Sequence, residues 1–142
     1  MKFWDTSAIM PLIAEEETSE AVSALFATDS DIVLSWFTPV EISSAIWRRW
    51  RETTEVLQRE RAERVVSRLR ESWYEVTDIH AVAQLAHEVL QRHRLKAADA
   101  LQLASALAVA NDRNLVPFVT LDGRLAAAAQ GEGLTVIRPT TL

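Results

Sequence analysis

The 142-residue sequence contains no cysteine, which excludes disulfides and metal sites built from thiolates. It contains only three glycines and four prolines, a composition that favours a compact, helix-rich chain. No apolar run is long enough to span a bilayer, and the N-terminus lacks the basic start, apolar stretch and cleavage site of a signal peptide. We therefore expect one domain over residues 1–142, located in the cytoplasm and without a membrane partner.

Positive charge is scarce in the first third of the chain. Residues 1–45 hold one lysine against eight acidic residues, whereas residues 46–75 hold eight arginines against six glutamates. The net charge of the whole chain is -5, which is not the charge of a protein that binds nucleic acid through a generally basic surface. The uneven distribution instead indicates a local charged site.

Short apolar segments alternate with helical segments through most of the chain. The segments predicted as strands are 2–6, 31–37, 74–78, 116–120 and 134–139. The segments predicted as helices are 7–14, 18–27, 40–51, 54–73, 79–94, 97–112 and 125–130, and Pro11 should kink or divide the first two. This alternation predicts an α/β fold with a mostly parallel sheet covered by helices on both faces. Ligands of such sheets bind outside the carboxyl ends of the strands.

Four acidic residues occupy equivalent places in this predicted fold. Asp5 ends the first strand, Glu41 opens the helix after the second, Asp122 follows the fourth, and Asp99 opens the most apolar helix. Because these turns share one edge of a parallel sheet, the four carboxylates should gather there and repel one another unless a cation is bound. Carboxylates without cysteine or clustered histidine favour a hard ion, Mg²⁺ or Mn²⁺. An ionised Asp99 in so apolar a helix should also need a partner.

Helix capping is the alternative explanation for each acid taken singly, because Asp is among the best N-caps and the helix dipole favours acids in the first turn. The stretch T-P-V-E at 38–41 has the pattern of a capping box. Thr38 would be the N-cap, Pro39 the first helical residue, and Glu41 the acceptor for the N–H of Thr38. Asp78 fits only a capping role. The competing hypothesis, which we favour, directs the Glu41 carboxylate toward the other acids.

Four stretches of the sequence resemble the acidic motifs of PIN-domain ribonucleases, and among these the VapC-type toxins of toxin–antitoxin pairs. They are WDTSAIMPLI, LSWFTPVEISSAIWR, LKAADALQLASAL and FVTLDGRLAAAA, and the resemblance runs in order from Lys2 to Arg138. It implies a PIN-like three-layer fold with a five-stranded, mostly parallel sheet flanked by helices, in a single PIN domain and a homodimer. It also implies Mg²⁺- or Mn²⁺-dependent cleavage of RNA, and a VapB-type antitoxin whose C-terminal segment occupies the active-site groove.

Carried over by position, the resemblance implies catalytic and metal-binding roles for Asp5, Glu41, Asp99 and Asp122, with supporting hydroxyls at Ser7 and Thr120. A bound divalent ion would lower the pKa of a coordinated water and neutralise charge on the phosphate. The resemblance also supplies a rival start for the helix that carries Glu41, at Ser35. The alternative function is a PIN-fold module that binds or processes RNA outside a toxin pair, with acids that are mainly structural.

The arginines of WRRWR (47–51) continue the helix that carries Glu41. Arg48, Arg49 and Arg51 are candidates for RNA phosphate contacts, and the alternative is a solvated helix face with Trp47 and Trp50 buried. The next helix carries apolar residues that could serve a dimer or antitoxin interface: Val56, Val65, Val66 and Leu69.

Overall fold

A computed structural model describes residues 1–51, 54–110 and 115–140. The described residues form five strands, β1 to β5, at Lys2–Trp4, Ile32–Ser35, Tyr74–Val76, Phe118–Val119 and Val136–Ile137. They also form seven helices, α1 to α7, at Thr6–Ile13, Ser19–Thr28, Thr38–Trp50, Val56–Arg70, Ile79–Arg92, Ala97–Val109 and Gly123–Gly131. The strands make one sheet in the order β3-β2-β1-β4-β5, and every neighbouring pair is parallel.

The predicted α/β fold with helices on both faces of the sheet is confirmed. The strands are shorter than the predicted segments, and α1 continues through the buried Pro11 instead of being divided there. Helix α6 ends at Val109, and the last two residues of the predicted helix 97–112 lie outside the described residues. In the described part of the chain, every helix is too short or too polar to cross a membrane.

Two hydrophobic layers lie on opposite faces of the sheet, because side chains of a strand alternate between its faces. Phe3 and Phe118 stack with ring centroids 5.5 Å apart in the layer shared with α5, α6 and α7. Trp4 and Val119, the next residues along each strand, belong to the layer shared with α1 to α4. Three of the apolar residues of α4 suggested for an interface are partly buried and pack against this second layer: Val65, Val66 and Leu69.

The strand order places the candidate site at a point where the chain changes direction across the sheet. From the central strand β1 the chain builds outward through β2 and β3, and it then crosses to the other side of β1 to form β4 and β5. The carboxyl ends of β1 and β4 therefore flank a topological switch point, where open α/β sheets bind their ligands. Asp5 follows β1 there, and Thr120 to Asp122 follow β4.

An ion-pair cluster joins the end of α5 to the end of α7. Glu132, which is 7% exposed, accepts hydrogen bonds at 3.0 Å from Nε of Arg92 and interacts at 2.9 Å with Nε2 of His93. The hydrogen bond from Arg92 lowers the pKa of Glu132 from an ordinary 4.5 to about 2, against the opposing effect of burial. The half-buried His93 thus has a structural role that its sequence position did not indicate.

We expect Glu132→Gln to lower the free energy of unfolding by about 1–2 kcal/mol at pH 7, since a charge-assisted pair with a half-exposed arginine is lost. The lowered pKa means that this stabilisation is present above about pH 4.5 and disappears as the pH falls toward 2. Urea unfolding of both proteins across that range measures the difference.

The control variant is Glu63→Gln, which changes an exposed glutamate on α4 and should alter stability little. A difference between wild type and Glu132→Gln that stayed constant from pH 6 to pH 2.5 would contradict the prediction, because it would come from packing and not from the ionised carboxylate.

Candidate active site

Asp5 is buried at the end of β1, where it is also the N-cap of α1. Its carboxylate accepts a backbone hydrogen bond from Ala8 at 3.0 Å. Two hydroxyls donate to the same carboxylate, Ser7 at 2.8 Å and Thr120 at 2.9 Å. The two residues predicted as supporting hydroxyls therefore contact Asp5 directly, from α1 and from the end of β4.

Burial raises the pKa of Asp5 from 3.8 to about 6. The hydrogen bonds from Ser7, Thr120 and Ala8 oppose that rise, and the negative charge of Asp122 adds to it. Desolvation is the largest cause, so the ionised carboxylate lacks the solvent that would normally stabilise its charge. A positive charge bound beside Asp5 would supply that stabilisation.

The turn from β4 to α7 is attached to α1 through the same hydroxyls. Thr120 Oγ1 accepts a hydrogen bond from the amide of Asp122 at 3.0 Å, and Ser7 Oγ accepts one from the amide of Leu121 at 2.9 Å. Asp122 is the N-cap of α7 and accepts from the amide of Leu125 at 2.9 Å. Each hydroxyl thus donates to Asp5 and accepts from this turn, which sets the position of Asp122 relative to Asp5.

The capping box at Thr38, which was the less favoured of the two hypotheses, is not formed. Helix α3 starts one residue earlier than the box requires, with Phe37 as its N-cap and no side-chain capping bond. Glu41 therefore lies beyond the reach of the cap. The rival start at Ser35 is wrong as well, since Ser35 ends β2 and its buried hydroxyl bonds to that of Ser105 at 2.7 Å.

The carboxylate of Glu41 contacts two residues that the sequence interpretation missed. Its Oε1 accepts hydrogen bonds from Thr6 Oγ1 at 2.6 Å and from Gln102 Nε2 at 2.7 Å. Gln102 Nε2 also lies 3.1 Å from Thr38 Oγ1, so Thr38 contributes to the site and not to a cap. The available signal was the spacing of the polar residues Asp99, Gln102 and Ser105, which recur every three residues in a helix that is otherwise apolar.

Asp99 occupies the first turn of α6 and is half-exposed. Desolvation raises its pKa, and the charges of Asp122 and Glu41 raise it further, whereas the neighbouring Lys96 lowers it. Asp99 is only partly buried although it belongs to a mostly apolar helix, because it lies in the first turn. The charges of Asp122 and Glu41 therefore act on Asp99.

The four acids lie along one edge of the sheet. The charge of Asp122 raises the pKa of both Asp5 and Asp99, and the charge of Glu41 also raises the pKa of Asp99. Within residues 1–51, 54–110 and 115–140, no group of three or more His, Cys, Asp or Glu side chains has the arrangement of a metal site. A closed cage of protein ligands is therefore not formed by the described side chains. The donor set fits an open site for a hard ion, because Mg²⁺ uses one or two carboxylates and keeps several waters.

A groove of about 680 Å³ runs beside Glu41, between α1 and α3. Arg48 lines this groove, whereas Arg49 donates to the backbone oxygen of Glu15 at 3.2 Å. Arg51 packs over the ring of Trp47 at 5.8 Å. Of the three candidate RNA-binding arginines, only Arg48 borders this groove.

The expected burial of the two tryptophans in WRRWR is confirmed for Trp50 but not for Trp47, which is 40% exposed.

We expect Asp5→Asn to stabilise the metal-free protein at pH 7 by up to about 3 kcal/mol. The raised pKa means that the ionised carboxylate disfavours folding, with no penalty below about pH 3.8 and the full penalty above pH 6. Asparagine removes the charge and keeps an oxygen for the amide of Ala8. Urea unfolding in EDTA at pH 7 and at pH 4 measures the effect, which should shrink at the lower pH.

Asp78→Asn is the matched control, because Asp78 is also an N-cap that accepts from the third amide of its helix, but it is exposed. This substitution should change stability by a few tenths of a kcal/mol. A less stable Asp5→Asn protein at pH 7 would contradict the prediction.

Several solved structures share this fold at low sequence identity. FitAcB from Neisseria gonorrhoeae matches with a TM-score of 0.71 at 20% identity, covering 100% of both chains. A toxin–antitoxin complex from Klebsiella pneumoniae matches with a TM-score of 0.70 at 18% identity, again over 100% of both chains. VapBC2 from Rickettsia felis, bound to a promoter DNA fragment, matches with a TM-score of 0.64 at 12% identity over 96% of this chain and 97% of the other. Identities this low establish the fold alone.

A comparison with curated proteins finds no match. The profile of the PIN domain family, in contrast, matches residues 2–131, which include all four acids of the candidate site. That match covers most of the 142 residues, and it agrees with the parallel five-stranded sheet flanked by helices. The chain belongs to the PIN domain family.

Proposed function

We propose that this protein is a metal-dependent endoribonuclease that hydrolyses RNA phosphodiester bonds, with Mg²⁺ or Mn²⁺ bound at an open site formed by Asp5, Glu41, Asp99 and Asp122. PIN domains are generally nucleases. The observation that carries the proposal is the buried Asp5 carboxylate, which lies among other acids at the topological switch point. An arrangement used only for capping would gain nothing from such burial, as the exposed cap Asp78 illustrates.

The residues around the acids orient the carboxylates and limit their movement. Ser7 and Thr120 direct hydroxyls at Asp5, and Thr6 and Gln102 donate to one oxygen of Glu41. The second oxygen of Glu41 is not used by these bonds. When bound, the divalent ion supplies charge neutralisation at the phosphate and lowers the pKa of water. The protein's contribution is a set of carboxylates whose positions are fixed before substrate arrives.

A second candidate function is a PIN-fold module that binds or processes RNA outside a toxin pair, with acids that are mainly structural. It is favoured by one observation, since Asp5 and Asp122 both accept capping hydrogen bonds from backbone amides. A screen with matched DNA and RNA substrates tests the nuclease. Calorimetric titration with Mn²⁺ tests the binding module, because acids that only cap helices should bind no ion specifically.

We also propose that the partner is an antitoxin of the VapB type, whose C-terminal segment occupies the groove beside Glu41. The Klebsiella pneumoniae relative of this fold is a toxin–antitoxin complex. The groove is lined by apolar residues, including Met10, Val40 and Leu121, together with Glu16 and Glu41. Such a surface suits a segment with apolar and basic side chains.

Homodimer formation, a single domain and a cytoplasmic location stay predictions.

Asp5→Asn and Asp99→Asn should each reduce RNA cleavage more than roughly 100-fold, which exceeds the usual effect of residues that only orient a metal ligand. Both proteins should remain folded, because asparagine is nearly isosteric with aspartate. Cleavage of a fluorescent RNA in Mg²⁺ or Mn²⁺ measures activity, and circular dichroism checks the fold.

The control for this experiment is again Asp78→Asn, which removes a carboxylate outside the acid cluster and should leave activity unchanged. Undiminished cleavage by Asp5→Asn, or by wild type in excess EDTA, would show that the acids and the ion do not carry the reaction.

Gln102→Leu should weaken Mn²⁺ binding roughly tenfold, because Glu41 loses the donor that orients its carboxylate. Leucine has a similar volume and keeps the core packing of α6. Calorimetry measures affinity, and thermal unfolding in EDTA reports any general damage. Gln102→His retains a donor and should recover part of the affinity; equal losses in both variants would indicate damage to packing instead.

A further inference from the structure

A second cleft, of about 510 Å³, opens on the other side of the acids, between the start of α6 and the start of α7. Asp99 and Asp122 line one part of it. The remaining polar lining is basic, from Arg94, Lys96 and Arg124. We call this surface the basic cleft.

The basic cleft continues away from the acids into a neighbouring pocket of about 450 Å³. Arg94, Leu95 and Arg124 line both cavities, so the two are contiguous. The far pocket also includes Arg92 and His93, but Glu132 already binds both of these side chains. Positively charged side chains therefore line both cavities, beginning beside the acids and continuing into the far pocket.

The three cations of the basic cleft are not needed to hold the fold together. Arg94, Lys96 and Arg124 are exposed. No ion pair joins any of them to another side chain within the described ranges of the chain. Arg92 and Arg49, in contrast, make ion pairs with Glu132 and Glu16. Unpaired cations grouped beside a carboxylate cluster are available to an external anion.

The two sides of the acid cluster differ in charge. The groove beside α3 has two glutamates, Glu16 and Glu41, and one arginine in its lining. The basic cleft has three cations against two carboxylates, and the guanidinium of Arg138 lies nearby, beside Gly123. In a chain of net charge -5, this local excess of positive charge identifies the side on which a polyanion would lie.

We propose that the basic cleft binds the backbone phosphates of the RNA strand next to the cleaved bond, with Arg94 and Arg124 each contacting a phosphate. Lys96, which precedes Asp99 by three residues, would lie near the phosphate adjoining the reacting one. This inference rests on the proposed function. It identifies Arg94, Lys96 and Arg124 as substrate-binding residues. Lys96 and Arg124 lie within two of the four acidic motifs, but the sequence interpretation assigned no role to any of the three.

The test compares RNA binding by two proteins that cannot cleave, Asp5→Asn and the same variant with Arg94→Ala and Arg124→Ala. Fluorescence anisotropy with a labelled RNA oligonucleotide, over a range of salt concentrations, gives the affinity and its salt dependence. Loss of two phosphate contacts should raise Kd about tenfold or more and reduce the slope of log K against log salt by about 1.4, or 0.7 per contact on a single strand.

The control replaces Arg68, an exposed arginine on α4 on the opposite face of the sheet, with alanine. Arg68→Ala removes one positive charge far from the basic cleft and should leave the salt slope unchanged. If Arg68→Ala and the cleft variants lowered affinity equally for each charge removed, the effect would come from net charge, and the proposal would be overturned.

Cleavage kinetics in the wild-type background provide a second readout. The double substitution Arg94→Ala with Arg124→Ala should raise KM with little change in kcat, since these residues contact phosphates of the RNA other than the reacting one. Shortening the RNA from the end that lies in the cleft should raise KM for wild type but not for the variant, because the lost contacts are the same. Additive effects of the two changes would overturn the proposal.

The outcomes also separate this inference from the proposed function. Cleavage by wild type, combined with unaltered RNA binding in the cleft variant, would overturn the inference and leave the nuclease intact. Binding that depends on Arg94 and Arg124 without any cleavage would overturn the nuclease alone. A wild-type protein that neither bound nor cleaved RNA would overturn both.

Discussion

The buried carboxylate of Asp5 is the group on which the candidate site depends. It caps α1, and through the hydroxyls of Ser7 and Thr120 it connects the end of β1 to the turn after β4. That turn carries Asp122, so a single desolvated charge links two segments more than 100 residues apart. Burial opposes the ionised form of Asp5, and the hydroxyls compensate only in part. The remaining cost is a reason for a cation to bind there.

The same edge of the sheet separates negative from positive charge. Asp5, Glu41, Asp99 and Asp122 form its centre, and the basic cleft lies on the side of α6 and α7. The proposed metal-dependent nuclease would bind a cation and a polyanion at adjacent places, and the charges that attract one of them would repel the other. Two of the acids are helix N-caps and two lie in first turns, whereas the cations of the basic cleft lie around the starts of α6 and α7, so the two fields are adjacent but distinct.

The alternation of apolar strands with helices was sufficient to predict the parallel sheet, because a strand covered on both faces needs apolar residues at every position. The same rule brought the acids to one edge. It did not locate the start of α3, since the T-P-V-E pattern satisfied a capping box that the chain does not form. Gln102 was missed because its partners come from α1 and α3, although it lies three residues after Asp99 and three before Ser105 on the same side of α6.

The sequence by itself determined which residues can carry charge at the carboxyl ends of the strands, because strand ends and helix starts follow from local patterns of apolar and polar residues. The tertiary structure alone decided how those charges differ. Burial makes Asp5 unlike the exposed cap Asp78, and packing separates Arg48 at the groove from Arg49 at Glu15. Desolvation and charge coupling act through space, between segments brought together only by folding, and no local pattern records them.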